Sequence, residues 1–262
     1  MPELPELVLA ERYFNKYCFG KKIKSVEVKD TKILKQTSEK ELNDLLVGQT
    51  FQKAQQYGKY LLVTVDKSTL LAIHFGMTGK LLYTENVKEK PASTHCIFEF
   101  ADGSFMFYSD RRKIGRISFA ADKDDLIAKS DLGPDALHVS KKSFLEMIAN
   151  NKRGRIKPVL MDQSNIAGIG NVYADEILFQ SYIHPEKPIG TLSDKDLTAI
   201  FKNIEKVLTK SIDLNADRDN LPKTWLTSSR EKGLDCPRKN GVIEMKTVGG
   251  RSTYFCASCQ EL

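Results

Sequence analysis

Residues 151–179 read NKRGRIKPVLMDQSNIAGIGNVYADEILF. Arg153, Arg155 and Lys157 cluster ahead of an apolar run, and a Gly168-x-Gly170 turn then leads into a helix beginning at Asn171. A glycine turn that opens a helix leaves backbone N–H groups pointing outward, where they take an anion, and a phosphate fits. A dinucleotide fingerprint is the poorer reading. It needs a preceding strand and a third glycine, and position 173 holds Tyr173. The plain alternative is a surface helix–turn–helix whose basic side chains are simply solvated.

The sequence around this stretch is helical. KKSFLEMIAN precedes it, and SDKDLTAIFKNIEKVLTKSI follows, opening with a capping box of Ser193 and Asp196. Its apolar residues at 197, 200, 201, 204, 207 and 208 form one stripe, which reads as core. The N-terminal half differs. Residues 3–19 carry helical spacing up to Gly20, and then short β-type runs follow: IKSVEVK, YLLVTVD, TLLAIHF, KLLY, HCIFEF, SFMFYS and RISF. Such runs, punctuated by turn signals, predict an antiparallel sandwich or barrel. A polar, Gly-Pro-containing texture between the halves marks the join. The expected architecture is a multidomain α+β chain: 1–125 a helix plus β-sandwich, 126–140 a linker, 141–232 a helical domain, and 233–262 a terminal hairpin.

Composition narrows the class. The chain has 262 residues, a formal net charge of +6 and a mean hydropathy of −0.36. That fits a soluble globular protein with a mild bias towards a polyanionic partner. With no long apolar run and no signal-type N-terminus, the expectation is a cytoplasmic, nucleoid-associated monomer with no membrane partner. Five cysteines do not read as a disulfide framework; Cys18 and Cys96 fall in helix-like and strand-like runs and read as buried thiols.

The other three cysteines lie in CPRKNGVIEMKTVGGRSTYFCASC, spaced Cys236-x2-Lys239-x16-Cys256-x2-Cys259. Two Cys-x2-Cys arms would make a zinc site, but Lys239 occupies the second position and carries no lone pair at neutral pH. No histidine follows His184 to replace it. Three readings stay open: zinc on three thiolates, with water or another side chain completing the tetrahedron; a metal-free hairpin packed through Val242, Met245, Tyr254 and Phe255; or a Cys256–Cys259 disulfide. VIEMKTV and RSTYF read as paired strands, with Gly249-Gly250 supplying positive φ at the turn.

Three further segments carry candidate chemistry. The chain starts MPELPEL, and a small Pro2 permits removal of Met1. An α-amino group titrates near 8 against near 10.4 for lysine. Roughly 10% of it is therefore neutral at pH 7, against well below 0.1% of a lysine. Such an amine is ready to attack a sugar C1′ and form an iminium, with Glu3 beside it as a proton shuttle. The alternative is that Pro5 merely occupies a favourable first-turn position. SDRRKIGRISF is either a solvated loop or one pushed into a nucleic-acid groove. In HFGMTGK, Met77 between two glycines is either ordinary packing or an apolar wedge for a base stack.

Together MPELPEL, YGKYLL, HFGMTGKL, DRRKIGRI, DQSNIAGIGNVYADEILFQSYIHPEKP and VGGRSTYFCASCQ, in that order, resemble the formamidopyrimidine-DNA glycosylase/endonuclease VIII family over essentially the whole chain. The resemblance implies a β-sandwich behind an N-terminal helix, then a helix–two-turns–helix domain ending in a zinc-finger-like hairpin. Damaged double-stranded DNA would lie in the cleft between them. It implies a base-excision-repair glycosylase with linked β,δ-elimination on oxidatively damaged bases and no catalytic cofactor. Pro2 would be the nucleophile, Glu3 the acid/base group, Lys59 a participant in the first elimination, and Arg251 the phosphate holder for the second. Asn171 with its surrounding amides, His95, Lys113 and Arg153 would contact DNA phosphate. Met77 would enter the stack, and Arg112 would face the orphaned base. Cys236, Cys256 and Cys259 would be the metal ligands, with structural zinc the implied cofactor.

The chain departs from the family pattern in three places. Ile114 stands where the wedge loop usually carries an aromatic. Segment 213–232 is short and lacks the glycine-rich stretch that closes over 8-oxoguanine, which weighs towards oxidised pyrimidines, as in endonuclease VIII, or ring-opened purines. One zinc cysteine is missing. A non-catalytic damaged-DNA binder on the same fold is the competing class. Pro2, Glu3, Lys59 and Arg251 together argue against it, because a pure binder needs no nucleophile.

Overall fold

The computed structural model describes residues 1–65 and 69–262, so Asp66, the end of the YLLVTVD run, lies outside the described residues. The chain divides into two compact units, one of Met1–Pro2 with Glu6–Asp131, the other of Glu3–Pro5 with Leu132–Leu262.

The first unit holds α1 (Leu4–Tyr17, from Glu6 on), β1 (Ile23–Val28), α2 (Glu39–Leu46), β2 (Ala54–Tyr57), β3 (Tyr60–Thr64), β4 (Leu70–His74), β5 (Gly79–Thr84), β6 (Thr94–Phe100), β7 (Phe105–Asp110), β8 (Arg116–Ala120) and α3 (Lys123–Ser130). The strands form two antiparallel four-stranded sheets, ordered β1-β6-β7-β5 and β2-β3-β4-β8. Their inner faces share one core that includes Phe14, Phe51, Leu61, Ile73, Phe98 and Phe100. Phe51 meets Phe14 and Phe98 edge-on at centroid distances of 5.2 and 5.7 Å, a favoured aromatic geometry. Cys18 and Cys96 are fully buried in this core, and burial pushes both thiols up from their ordinary value.

Helix α1 protects one edge strand of each sheet. Asn15 Nδ2 donates to Ala54 O (2.9 Å), and its Oδ1 accepts from Ala54 N–H (2.8 Å). Glu11 Oε2 accepts from Gln56 N–H (2.8 Å), and the Tyr13 hydroxyl accepts from Tyr83 N–H (2.9 Å). Side chains thus replace the missing neighbour strand at β2 and β5.

Helix α2 and strand β2 are among the elements that escaped the sequence reading. Helix α2 begins at Ser38, whose hydroxyl accepts from Glu41 N–H (3.1 Å), and buries only Leu42 and Leu46, too few for a periodic signal. The strand AQQY of β2 is polar because its partner is a helix side chain. Part of the stretch read as linker is also helical: Asp122 caps α3 by accepting from Asp125 N–H (2.8 Å), and Asp131 ends it in the left-handed region.

The second unit contains α4 (Lys141–Asn150), α5 (Ile156–Met161), α6 (Asn171–Gln180), α7 (Asp194–Asp213), β9 (Glu244–Val248) and β10 (Arg251–Phe255). Helix α6 is buried from Tyr173 to Phe179 and forms the centre. The capping box of α7 is present, and the helix buries Ile200, Ile204, Val207, Leu208 and Ile212. Strands β9 and β10 pair antiparallel across Gly249-Gly250, whose φ values are 56° and 72°. Among the described residues no helix is long and apolar enough to cross a membrane.

His74 ends β4 in the first unit, and its Nδ1 accepts from Gly76 N–H at 3.1 Å, which shapes the turn carrying Met77. Burial first, then the charges of Lys59, Arg116 and Lys35, lowers its pKa from 6.5 to about 4. Because the neutral ring is the folded form, this contribution is complete above pH 6.5 and is lost as pH falls from 6.5 to about 4. It amounts to about 3 kcal/mol. His74→Gln should flatten the fall of the denaturant midpoint with pH across that window; an unchanged slope would show that other groups govern it.

Candidate active site

The N-terminus of α6 is capped from outside the helix. Its N-cap residue, Gly170, has no side chain, and Glu3 supplies the carboxylate instead. Glu3 Oε2 accepts from the N–H groups of Gly170 (2.8 Å) and Tyr173 (3.1 Å), and Oε1 accepts from Val172 N–H (2.9 Å). Glu3 is 1% exposed, so these bonds replace water that the carboxylate has lost. A Cβ on Gly170 would lie 2.6 Å from Glu3 Oε1. A Cβ on Gly168, whose φ is +111°, would lie 2.9 Å from Leu4 Cβ, while Leu4 N–H donates to Gly168 O (3.1 Å). Both glycines are therefore required by the close approach of residues 3 and 4.

This corrects the phosphate reading of the glycine turn. The anion that these three amides receive is the chain's own Glu3. Asn171 is half-buried, and its side chain donates from Nδ2 to Ser252 O (2.9 Å) on β10. Pro2, half-buried, directly precedes Glu3 in the chain and belongs to the first unit.

The basic cluster at 153–157 divides into three different environments. Arg153 is exposed. Arg155 pairs with Glu186 (2.5 Å). Lys157, read as part of a basic cluster, is fully buried in α5, with its Nζ 2.6 Å from Asp175 Oδ1 and donating to Thr253 Oγ1 (2.6 Å). Asp175, equally buried on α6, receives Arg230 through Nε (3.0 Å) and NH2 (2.7 Å), and accepts from Tyr254 N–H (3.2 Å). Burial pushes the Lys157 ammonium below its ordinary range, and the charge of Asp175 opposes that shift. Arg230 also lies over the Tyr254 ring, 4.5 Å from its centroid. The triad thus fixes β10, whose exposed first residue is Arg251, against α5 and α6. Sequence reading missed Asp175 and Arg230, because acidic and basic residues far apart in the chain give no periodic signal.

In the first unit, Lys59 is half-buried in the two-residue turn Gly58-Lys59 between β2 and β3, with Gly58 at φ 54°. Met77 is 37% exposed between β4 and β5. Arg112 and Lys113 are exposed between β7 and β8, and Lys113 Nζ pairs with Asp30 (2.8 Å). His95 is buried, with Nε2 2.8 Å from Asp110 O.

At the C-terminus, the Sγ atoms of Cys236, Cys256 and Cys259 lie within 4.8 Å of one another. Both arms keep the turn of a metal knuckle: Lys239 N–H donates to Cys236 O (2.7 Å), as Cys259 N–H does to Cys256 O (3.0 Å). Lys239 itself is exposed, with φ 58°. Asn240 Oδ1 lies 2.8 Å from Cys259 Sγ and adds an oxygen donor beside the thiols. Val242 and Met245, expected to pack the hairpin, are 52% and 38% exposed. Of the other two expected residues, Phe255 is buried and Tyr254 packs against a cluster that includes Ile243, Phe179 and Leu226. The Arg238 guanidinium also stacks 4.0 and 3.7 Å from the ring centroids of Phe179 and Tyr182.

Comparison with known proteins agrees with this geometry. The family described as formamidopyrimidine-DNA glycosylase N-terminal domain matches residues 1–117, and the H2TH domain of the same enzymes matches residues 132–221. The chain is 33% identical over 276 residues to a formamidopyrimidine-DNA glycosylase of Pelotomaculum thermopropionicum, covering all of both chains. It is also 33% identical to one of Arabidopsis thaliana, covering all of this chain and 71% of that protein. Among solved structures, the Lactococcus lactis glycosylase bound non-covalently to DNA containing an AP site superposes with a TM-score of 0.90 at 30% identity, covering 99% of this chain and 100% of that one. MutM in complex with DNA containing carbocyclic 8-oxo-G gives 0.90 at 29% identity, covering 100% of both.

The buried triad carries a direct expectation. Lys157→Met keeps the volume but leaves Asp175 with only Arg230 as a charged partner, and should destabilise the fold by about 3 kcal/mol. Denaturant unfolding at constant m-value measures this. An unchanged midpoint would mean that the ion pair contributes nothing net.

Proposed function

The chain belongs to the formamidopyrimidine-DNA glycosylase family, and on that premise we propose that it excises oxidatively damaged bases from duplex DNA and then cleaves the strand through an iminium at its N-terminal proline. The supporting observation is the sequence Pro2-Glu3 at the chain start, with Glu3 locked by three amides of α6. That lock fixes the backbone next to the nucleophile, so little orientation is lost when a sugar arrives.

Removal of Met1 frees the secondary amine of Pro2. Its nitrogen lone pair forms a bond to C1′, the glycosidic bond breaks, and the base departs with that electron pair and takes up a proton. The nitrogen gives up its proton, O4′ leaves C1′ with the shared electron pair and is protonated, and the opened sugar is held as a positively charged iminium, which acidifies the C2′ proton. Loss of that proton expels the 3′ phosphate, and a second elimination expels the 5′ phosphate. Glu3 is assigned proton transfer, Lys59 the first elimination, and Arg251 the phosphate contact for the second. Asn171, Arg153, Lys113 and His95 are assigned the strand backbone; Lys113 would exchange Asp30 for phosphate. Met77 fills the gap left by the base, and Arg112 faces its former partner. One solved relative holds DNA containing FAPY-dG, which makes ring-opened purines the first lesions to examine.

We assign the three C-terminal thiols to a structural zinc. The donor set fits, with three sulfur atoms clustered on two knuckle turns and an amide oxygen beside them. The ion would tie the two arms together and so hold the base of the hairpin that presents Arg251.

Borohydride should trap a covalent adduct between the Met1-free protein and an abasic-site duplex, and blocking the terminal amine should abolish it. Absence of trapping in protein shown by mass spectrometry to begin at Pro2 would overturn the iminium mechanism. Metal analysis should find about one zinc per chain, and Lys239→Cys should hold it against chelator concentrations that strip the wild type. A folded, zinc-free protein would overturn the metal assignment.

A further inference from the structure

Asp110, the last residue of β7, is fully buried, yet every polar contact of its side chain runs to two exposed turns. Oδ1 accepts from the Thr78 hydroxyl and from Arg112 N–H (3.1 Å). Oδ2 accepts from the N–H groups of Ile114 (2.9 Å) and Gly115 (2.8 Å). Thr78 Oγ1 in turn accepts from Arg112 N–H (3.0 Å). One carboxylate therefore joins the turn carrying Met77 to the turn carrying Arg112 and Ile114.

Steric fit joins the same two turns. A Cβ on Gly76, whose φ is +58°, would lie 2.6 Å from Gly115 N and 2.8 Å from Ile114 Cγ1. Lys113 takes φ 53°, and its N–H donates to Asp110 O (3.3 Å), the same carbonyl that faces His95. Burial raises the Asp110 carboxyl, but its four hydrogen bonds outweigh that and hold it below the usual range. Met77 at 37% and Ile114 at 37% remain exposed on this support.

We infer that Asp110 is a positioning residue for base extrusion, presetting Met77, Arg112 and Ile114 as one assembled wedge before DNA binds. The inference rests on the role assigned above to Met77 and Arg112. Extruding a base is costly, and ordering loop residues at that moment would add the loss of their backbone entropy. A prebuilt wedge avoids the second cost. Asp110 touches neither sugar nor base in this scheme.

The test compares two duplexes under single turnover. One carries FAPY-dG, whose base must be extruded; the other carries a preformed abasic site, which has no base to unstack. Asp110→Asn turns an acceptor into a donor facing two N–H groups, and should slow base release by about 30-fold, the loss of one or two buried hydrogen bonds. Nicking of the abasic duplex should change by less than about threefold. Thr78→Val should reproduce part of the effect and Thr78→Ser should restore it. If Asp110→Asn melts as an unfolded chain, the Thr78 pair carries the comparison. Equal slowing on both duplexes, or no slowing on either, would overturn the inference. Absence of base release by the wild type would instead bring down the functional reading beneath it.

Discussion

The second unit is organised around a carboxylate that caps a helix from 167 residues away. Ordinary N-caps are local, supplied by the residue at the helix boundary. Here the boundary residue is Gly170, and the cap is Glu3. A local side chain at position 170 would collide with the incoming one, so the absence of a side chain there is what admits the N-terminus. The cap fixes Glu3 at the start of α6. The negative charge also complements the positive end of α6.

The same device recurs twice more, each time with a buried aspartate tying down segments that carry exposed side chains. Asp175 gathers Lys157, Arg230 and Tyr254 N–H, and so mounts β10. Asp110 gathers four donors from two turns. The partners differ for a physical reason. Asp175 lies within the central helix, whose own N–H groups are committed to the helix, so two cations join the Tyr254 N–H in the compensation. Asp110 sits at a strand end, where turn amides are unpaired and point inward. Each arrangement offsets the desolvation of a charge by several directed bonds, which also restrict the segments carrying exposed functional side chains.

Much of this was legible in the sequence. Helices α1, α4, α6 and α7 and most strands announce themselves by spacing, because each buries one face or is buried all round. The hairpin announces itself through Gly249-Gly250. The family resemblance supplied the candidate residues Pro2, Lys59, Met77 and Arg251 directly. What stayed hidden were pairings across long separations. Lys157 looked like one more member of a basic cluster because its partner, Asp175, lies on a different helix. Asp110 looked like part of a charged loop, although it is among the most buried residues of the first unit. The glycine turn does receive an anion, but that anion is the chain's own Glu3, and one-dimensional spacing contains no hint of that. Val242 and Met245 were misjudged because apolar residues in a two-stranded hairpin need not all face inward.

The meeting of Gly76 with Ile114 has a consequence for how this protein can change. Backbone at one position occupies the room that a side chain at the other would otherwise need, so the two sites behave as a single volume shared between separate turns. A substituent at 76 would strike the backbone of 114 and 115 and displace the tip. Because the nearest atoms are backbone and φ at 76 is +58°, glycine is required at 76 whatever side chain forms the apex at 114.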